Sequence, residues 1–135
     1  MTSFAPQSSS FAAVAENLAP ARDFLRRYVG ASGWPGSDLD VVIAIGEVLQ
    51  NIVRHGFGGG SEAGTITMNV AVDQGILIVT IDDTAPSSIP AEWSNNGRES
   101  YEGGLGLGII TRIASDVTFQ PTTTGNRATL HFTPE

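Results

Sequence analysis

The sequence contains no cysteine and no lysine, and each absence excludes a class of chemistry. Without cysteine the chain forms no disulfide, no zinc–thiolate site and no thiol nucleophile. Without lysine it lacks the side chain with which a P-loop holds nucleotide phosphates, and it forms no Schiff base. Its seven basic residues are all arginine. A phosphate site in this chain therefore needs a metal ion or backbone dipoles.

Positive charge and long apolar runs are also scarce. The 7 basic residues stand against 14 acidic ones, for a net charge of −7. Because nonspecific affinity for nucleic acid comes from neutralised phosphates, we expect no nucleic-acid partner. No stretch approaches the roughly 18 apolar residues of a membrane-spanning helix, and residues 1–10 lack the pattern of a signal peptide. We expect a cytoplasmic protein without a membrane partner.

The length and the apolar content predict one folded domain. The chain has 135 residues, 41% of them hydrophobic, which is enough for a sizeable core. We place the domain at residues 11–135, beginning with a weak strand at 11–14. Residues 1–10 are expected to be a flexible N-terminus.

Apolar side chains at helical spacing predict two helices in the first half of the chain. The first covers 18–29, because Pro20 is tolerated only in a first turn, and Gly30 is its predicted stop. Ser37 is the predicted N-cap of a second helix over 39–54. Its length favours a helix over a strand despite its β-branched content.

Strands dominate the second half of the chain. Two of them, 65–72 and 76–82, are joined by residues 73–75, a three-residue hairpin loop with Gly75 where positive φ is tolerated. Residues 83–103 form a polar loop whose length is typical of functional segments. A third helix and two further strands are predicted at 105–114, 117–120 and 127–132. This order predicts an α+β fold, a two-layer sandwich with helices on one face of a mostly antiparallel, mixed sheet.

Three polar side chains lie on one stripe of the second predicted helix. Glu47, Asn51 and His55 are spaced four residues apart, so they point along the same face. A carboxylate, a carboxamide and an imidazole supply a base, an oxygen ligand for a hard metal ion and a hydrogen-bond donor. The structural alternative is a solvated helix face on which His55 caps the C-terminus.

An acidic residue ends the second strand of the predicted hairpin. Asp82 follows the apolar run 76–81, and a carboxylate there is able to accept a hydrogen bond from an exocyclic amine such as that of adenine. The alternative is an ordinary turn residue at a strand end.

A glycine-rich segment precedes the third predicted helix. Residues 103–108 have the sequence Gly-Gly-Leu-Gly-Leu-Gly. Closely spaced glycines at a helix N-terminus expose backbone N–H groups and a positive dipole end, which hold phosphate without lysine. No strand stands directly before them, so the context of a Rossmann dinucleotide motif is not met.

Together and in this order, these segments resemble the GHKL ATPase superfamily, whose members share the Bergerat, or histidine-kinase-like ATPase, fold. Residues 47–56 are similar to its N box, 82–86 to its first glycine box and 104–108 to its second. Residues 125–130 are similar to its closing segment. The small size and the Glu-x3-Asn-x3-His-Gly form look most like the RsbW-type anti-sigma-factor serine kinases. The alternative is an unrelated α+β domain with coincidental glycines.

The resemblance implies a role for each matching position. Glu47 would orient or deprotonate the attacking hydroxyl, Asn51 would bind the Mg²⁺ that bridges the phosphates of ATP, and Asp82 would recognise the adenine amine. Residues 86–103 would form the lid. The other positions implied to contact the nucleotide are His55, Gly104, Leu105, Gly106, Leu107, Gly108 and Thr129.

The first glycine box departs from the family pattern Asp-x-Gly. With Asp82 as its aspartate, Thr84 occupies the glycine position, and its Cβ disfavours positive φ. Asp83 is a second carboxylate at the same strand end. We prefer Asp82 because the missing glycine lies two residues after it.

The resemblance implies a protein serine/threonine kinase that uses Mg-ATP. It would phosphorylate a STAS-type anti-sigma-factor antagonist, sequester a sigma factor and so regulate transcription, as a homodimer. The alternative, which Thr84 favours, is a non-catalytic switch that binds nucleotide or only a protein partner. The retained Glu47 favours the kinase, because a pure binder needs no base there.

Overall fold

The structure is a computed structural model that describes residues 3–56, 64–85 and 107–134. Its elements are β1 (Phe4–Ala12), α1 (Leu18–Ser32), α2 (Asp38–Asn51), β2 (Thr65–Asp73), β3 (Ile76–Asp83), α3 (Leu107–Ile113), β4 (Asp116–Pro121) and β5 (Asn126–Phe132). The strands form one sheet in the order β1-β2-β3-β5-β4. Every strand pair in the described ranges is antiparallel. The predicted α+β class is confirmed.

The N-terminal segment belongs to the sheet, contrary to the expected flexible end. β1 pairs with β2 from Phe4 to Ala12, with one irregularity between Phe4 and Gln7. The predicted strand at 11–14 overlaps only the last two residues of β1 and extends two residues past its end. Ser8 Oγ donates to Asn69 Oδ1 at 2.6 Å, and the hydroxyls of Ser10 and Thr67 lie 2.9 Å apart. An edge strand of this kind is stabilised by hydrogen bonds to residues distant in sequence. Its own polar residues therefore do not predict a strand.

The helix ends follow the predicted chemistry with two differences. α1 begins at Leu18 as predicted, but its C-terminus is closed by Gly33 in the left-handed region, φ 74°, and not by Gly30. Ser37 caps α2, because its Oγ accepts a hydrogen bond from Asp40 N at 3.1 Å. After Asn51 the backbone widens into a π-helical turn over Ile52–Gly56, a feature frequent at functional sites.

The β2–β3 connection is tighter than predicted. Asp73 pairs directly with Ile76, so only Gln74 and Gly75 form the turn. Both have positive φ, 52° and 81°, as a type I′ turn requires. The expected three-residue loop is therefore wrong, although Gly75 does hold a left-handed position.

Successive side chains of a strand point to opposite faces of the sheet, and here one face is covered by helices. In β3 the helix-side positions Leu77, Val79 and Ile81 are fully buried. The opposite face, which we call the open face, carries mainly short polar residues of all five strands. The two long helices supply equal numbers of buried apolar residues to the core, and those of α2 are Val41, Ala44, Ile45, Val48 and Leu49. No helix in the described ranges is long and apolar enough to cross a membrane.

Hydrogen bonds fix the direction in which α1 crosses the sheet. Near its start, Asn17 Nδ2 donates to Ala12 O at 2.9 Å, at the end of the sheet where Asp83 lies. Near its C-terminus, Tyr28 Oη donates towards Ala5 O at 3.0 Å, beside the opposite end, where Gly75 lies. α1 therefore runs from the Asp83 end to the Gly75 end.

α2 runs the opposite way. Arg26 of α1 lies 3.9 Å from Asp38 at the start of α2, so the C-terminal half of one helix meets the N-terminus of the other. Just before α2, the indole Nε1 of Trp34 donates to Gly75 O at 3.1 Å. The C-terminus of α2 consequently reaches the Asp83 end of the sheet.

Candidate functional site

The ends of several secondary-structure elements meet at the end of the sheet where Asp83 lies, which we call the Asp83 end. β3 ends there, β5 begins there and α2 reaches it with its last residue. α3 packs against α2 and leads into Ser115, whose N–H donates to His131 O at 2.8 Å towards the Gly75 end. The fold brings the end of α2, with Asn51, and the strand-end carboxylates to one side of the molecule.

The predicted polar stripe of α2 is only partly solvated. Glu47 is half-buried, whereas Asn51, one turn later, is 4% exposed. A carboxamide this deeply buried does not belong to a solvated helix face, so the alternative of a solvated face does not describe Asn51. His55 lies in the π-helical turn, and its side chain is outside the described part of the chain.

Asp82 lies on the open face of the sheet. Its two carboxylate oxygens accept hydrogen bonds from Arg127 Nε at 2.6 Å and Nη2 at 3.2 Å. Hydrogen bonding to Asp82 and the negative charge of its carboxylate raise the pKa of the Arg127 guanidinium above its usual value. Both side chains are substantially exposed, at 33% and 46%. The adenine role that the resemblance gave to Asp82 thus falls on a side chain that points away from the helices.

Asp83 lies on the helix side, as the next position after Ile81 in the strand alternation. It is 4% exposed. Its Oδ1 accepts hydrogen bonds from Ala85 N at 2.9 Å and from Asn126 Nδ2 at 3.2 Å. These two donors hold a buried carboxylate at the point where β3 ends, and a carboxylate so placed is an acceptor suited to an amine or to a metal ligand shell.

Asn126 ties the first glycine box to the closing segment. It is 6% exposed, and its Nδ2 donates to Ala85 O at 2.9 Å as well as to Asp83. The preceding Gly125 packs against the backbone of Asp83, where a Cβ would lie 1.8 Å from the carbonyl oxygen. The glycine is required by this close approach of two chain segments.

Thr129 does not lie on the helix side of the sheet with Asp83 and Asn126. It pairs with Thr80 and Thr118 across the open face, on the same side of the sheet as Asp82. The position of the closing segment that faces the helices at the Asp83 end is Asn126. The alternation of buried residues at Leu77, Val79 and Ile81 predicts that Asp83 also faces the helices. The pairing of β3 with β5 then places Asn126 opposite Asp83.

The glycine-rich segment lies mostly outside the described residues. Gly104, Leu105 and Gly106 fall there, while Leu107 and Gly108 form the first turn of α3. Gly108 is exposed, and a Cβ on it would meet no atom within 4 Å. In the described ranges no group of three or more histidine, aspartate or glutamate residues could hold a metal ion. Among the described side chains near the Asp83 end, Asn51 and Asp83 carry oxygen atoms of the type that a hard divalent ion accepts.

Comparison with known proteins points to one family. The sequence profile of the histidine kinase-like ATPase domain matches residues 11–132. A search of curated protein sequences finds no match. Among solved structures, the RsbU and RsbW domains of Rv1364c from Mycobacterium tuberculosis align over 96% of this chain, at 21% identity and a TM-score of 0.69. The histidine kinase domain of the Erythrobacter litoralis EL346 blue-light activated histidine kinase aligns over 87%, at 19% identity and a TM-score of 0.57.

The matched regions are parts of larger proteins. The alignment covers 32% of the Mycobacterium tuberculosis chain and 59% of the Erythrobacter litoralis chain. At these identities the likeness describes the fold, which is the one built above from the order of the strands and the helices on one face.

Proposed function

Because the chain belongs to the histidine kinase-like ATPase domain family, we propose that it is a protein serine/threonine kinase that uses Mg-ATP. The proposed acceptor is a STAS-type anti-sigma-factor antagonist. We further propose that the same molecule sequesters a sigma factor, acts as a homodimer and works in the cytoplasm. The observation that carries the kinase proposal is the half-buried Glu47 followed by the buried Asn51, at the end of the sheet where Asp83 is buried.

We assign adenine recognition to Asp83 in place of Asp82. Asp83 lies on the helix side and is held by two donors, whereas Asp82 is engaged by Arg127 on the open face. With Asp83 as the aspartate of the pattern Asp-x-Gly, Ala85 and not Thr84 takes the glycine position. Alanine adds only one methyl group there, so the departure from the family pattern is smaller than the sequence suggested.

The phosphates and the metal ion would be held by two segments. Asn51 supplies a carboxamide oxygen, a ligand type that Mg²⁺ accepts beside phosphate oxygens. The backbone N–H groups of residues 104–108 would hold the phosphates, as the family resemblance implies. Bound Mg²⁺ would neutralise phosphate charge, a task that this lysine-free chain has few cations to perform.

Glu47 is the proposed general base. Its carboxylate would take the proton of a serine or threonine hydroxyl as that oxygen bonds to the γ-phosphorus, while the bond to the β-phosphate oxygen breaks and ADP leaves. A half-buried side chain suits this role, because it lies at the edge of the site where a protein hydroxyl can reach it. His55 would contact the nucleotide from the N-box end, as the resemblance implies.

A non-catalytic switch is the second candidate. The observation in its favour is Ala85, which is fully buried where the family has a glycine, so that nucleotide approach at the first box differs from the family pattern. Such a switch would bind nucleotide or a protein partner and regulate by occupancy, without phosphate transfer.

Paired aspartate variants test the nucleotide site. We expect Asp83→Asn to weaken Mg-ATP binding at least about tenfold in a calorimetric titration, because an acceptor-only carboxylate is lost. The adjacent Asp82→Asn is the matched control and should leave the affinity within about twofold. Equal losses in both variants, or a loss confined to Asp82→Asn, would contradict the assignment. Thermal unfolding of both variants checks that each is folded.

Glu47→Gln separates the two candidate functions. In the kinase it should abolish transfer of radiolabelled phosphate to purified STAS-type antagonist domains while Mg-ATP binding stays intact. In the switch it should leave the regulatory effect unchanged. Failure of the unmodified protein to bind ATP at millimolar concentration would refute the kinase proposal.

A further inference from the structure

Two large apolar side chains are exposed on α2 without any role in the core. Leu39 is 59% exposed and Ile43 is 40% exposed, and Ile109 is the third such side chain in the described ranges. Single exposed apolar residues are ordinary. Leu39 and Ile43, however, are four residues apart on one helix, so they form one continuous surface.

This surface leads directly to the proposed base. Leu39, Ile43, Glu47 and Asn51 are successive members of one i, i+4 series along α2. Each step advances about 6 Å along the helix and turns about 40° around it. Exposure falls along the series, from 59% and 40% to half-buried Glu47 and then to 4% at Asn51. The series thus starts in solvent and ends inside the candidate site.

Helix formation does not explain Ile43, because a β-branched residue at an exposed helix position is a weaker helix former than alanine or a charged straight-chain residue. Leu39 is a good helix former, but alanine and the charged straight-chain residues form helices as well and expose less apolar surface. Burial does not explain them either, since the core side of α2 is already filled by Val41, Ile45 and Val48. Nothing in the described residues covers them, which leaves both side chains available for contact with a partner.

We propose that the surface formed by Leu39 and Ile43 is the docking site for the protein that receives the phosphate. The inference rests on the proposed kinase function. The partner would present an apolar patch roughly 12 Å, two helical turns, from its acceptor serine or threonine, so that docking places the hydroxyl at Glu47. The charges around the surface have both signs, because Asp40 is exposed, Arg26 lies 3.9 Å from Asp38 and the side chain of Arg22 lies beside Gly46. Such a rim suits a partner whose patch is itself bordered by charges of both signs.

A second copy of the chain is a poor occupant for this surface. A symmetric pairing through Leu39 and Ile43 would bring the partner copy over the adjacent Glu47 and close the route by which a protein hydroxyl enters. A homodimer compatible with the proposed kinase therefore has to use another face.

The test compares three variants with the unmodified protein in acceptor kinetics. The docking variant is Leu39→Gln combined with Ile43→Gln, and the catalytic comparator is Glu47→Gln. Thr118→Gln, an exposed position of β4 on the open face, is the control. The probes are the purified STAS-type domains encoded in the same genome, with radiolabelled Mg-ATP as the donor.

We expect the docking variant to raise the KM for the acceptor about tenfold or more, with kcat and ATP affinity within about twofold. Glu47→Gln should abolish the transfer, while its affinity for the acceptor in a binding titration stays within about twofold. An unchanged KM in the docking variant would overturn the docking proposal while the kinase function stands. Sedimentation that shows a dimer of the unmodified chain and a monomer of the docking variant would also overturn it, since the surface then binds a second copy.

The failure of the kinase proposal would look different. If the unmodified protein binds ATP but phosphorylates none of the STAS-type domains, the kinase proposal is refuted. The binding of the same domains to each variant is then measured by titration. Loss of binding in the docking variant with retention in Thr118→Gln would support the docking site without the kinase. Equal binding by both variants, or binding of no domain by the unmodified chain, would overturn it.

Discussion

Asn126 holds Asp83 through a hydrogen bond of 3.2 Å from Nδ2 to Oδ1, and both side chains are buried at the same end of the sheet. Asn126 comes 43 residues after Asp83, and the pairing of β3 with β5 places them opposite each other. Because its second Nδ2 hydrogen bond goes to Ala85 O, Asn126 fixes the carboxylate and the chain that follows it together. Asn126 is therefore a positioning residue for the proposed adenine site.

Replacement of Asn126 should damage stability and nucleotide binding together. Asn126→Ala removes the hydrogen bonds that Nδ2 donates to Asp83 Oδ1 and Ala85 O, and Asp83 Oδ1 keeps the one from Ala85 N. We expect a cost of about 1–3 kcal/mol in the free energy of unfolding. Asn126→Asp should cost more, because it sets a second carboxylate beside Asp83. Urea unfolding and ATP titration measure both effects. Thr129→Ala on the open face is the control, with an expected change within about 0.5 kcal/mol; a larger effect there than in Asn126→Ala would favour the original assignment to Thr129.

A methyl group at Gly125 should disturb the same site from the backbone. The Cβ of Gly125→Ala would lie 1.8 Å from Asp83 O, so one of the two segments must move. We expect a loss of about 1–3 kcal/mol in the free energy of unfolding and weaker ATP binding. Gly30→Ala is the matched control, because a Cβ in that helical position meets nothing within 4 Å and should stabilise by about 0.5–1 kcal/mol. Equal Tm values for both variants would refute the close approach.

Much of the fold was predictable because its signals are local. The Ser37 cap, the start of α1 and the left-handed Gly75 each depend on one residue type and its immediate neighbours. β1 was missed because its order comes from hydrogen bonds to β2, more than 50 residues away in sequence. Local composition carries no sign of such a partner, and an edge strand needs no strict alternation.

At the candidate site, two features of the sequence favour different residues as the aspartate of the first glycine box. Motif spacing favoured Asp82, with Thr84 in the glycine position. Strand alternation from the apolar Leu77, Val79 and Ile81 predicts Asp83 as the next helix-side residue, and the structure has it buried there. Asn126 carried no motif at all. Its importance follows only from strand pairing, which a single sequence does not display.

Trp34 provides a test at the opposite end of the molecule. Its indole N–H bonds to Gly75 O at 3.1 Å, and its ring lies against Gly36, where a Cβ would come within 2.2 Å of it. Trp34→Phe should lower the free energy of unfolding by about 1–3 kcal/mol, since the partly buried carbonyl of Gly75 loses its donor and packing is lost. ATP affinity should stay within about twofold, because the change lies at the Gly75 end. A large loss of ATP affinity in a folded Trp34→Phe protein would contradict this separation of the two ends.

Tyr28 should make stability depend on pH in the alkaline range. Its ring packs edge-on against Phe4 with centroids 5.4 Å apart, and its hydroxyl lies 3.0 Å from Ala5 O, so it joins α1 to β1. Burial raises the pKa of the phenol above its ordinary value of 10.0. The folded protein therefore holds this proton more tightly than the unfolded chain does.

The stabilisation is complete below the unfolded pKa near 10.0 and is lost as pH rises through the higher folded pKa. We expect the free energy of unfolding to fall with pH in that window, and the tyrosinate absorbance of Tyr28 to appear above pH 10.0. Tyr28→Phe identifies the phase, since the chain has only two tyrosines. It should also cost about 1 kcal/mol at neutral pH through the lost hydroxyl. Ionisation of Tyr28 below its ordinary pKa, or a pH slope unchanged in Tyr28→Phe, would contradict this account of how α1 holds the edge strand.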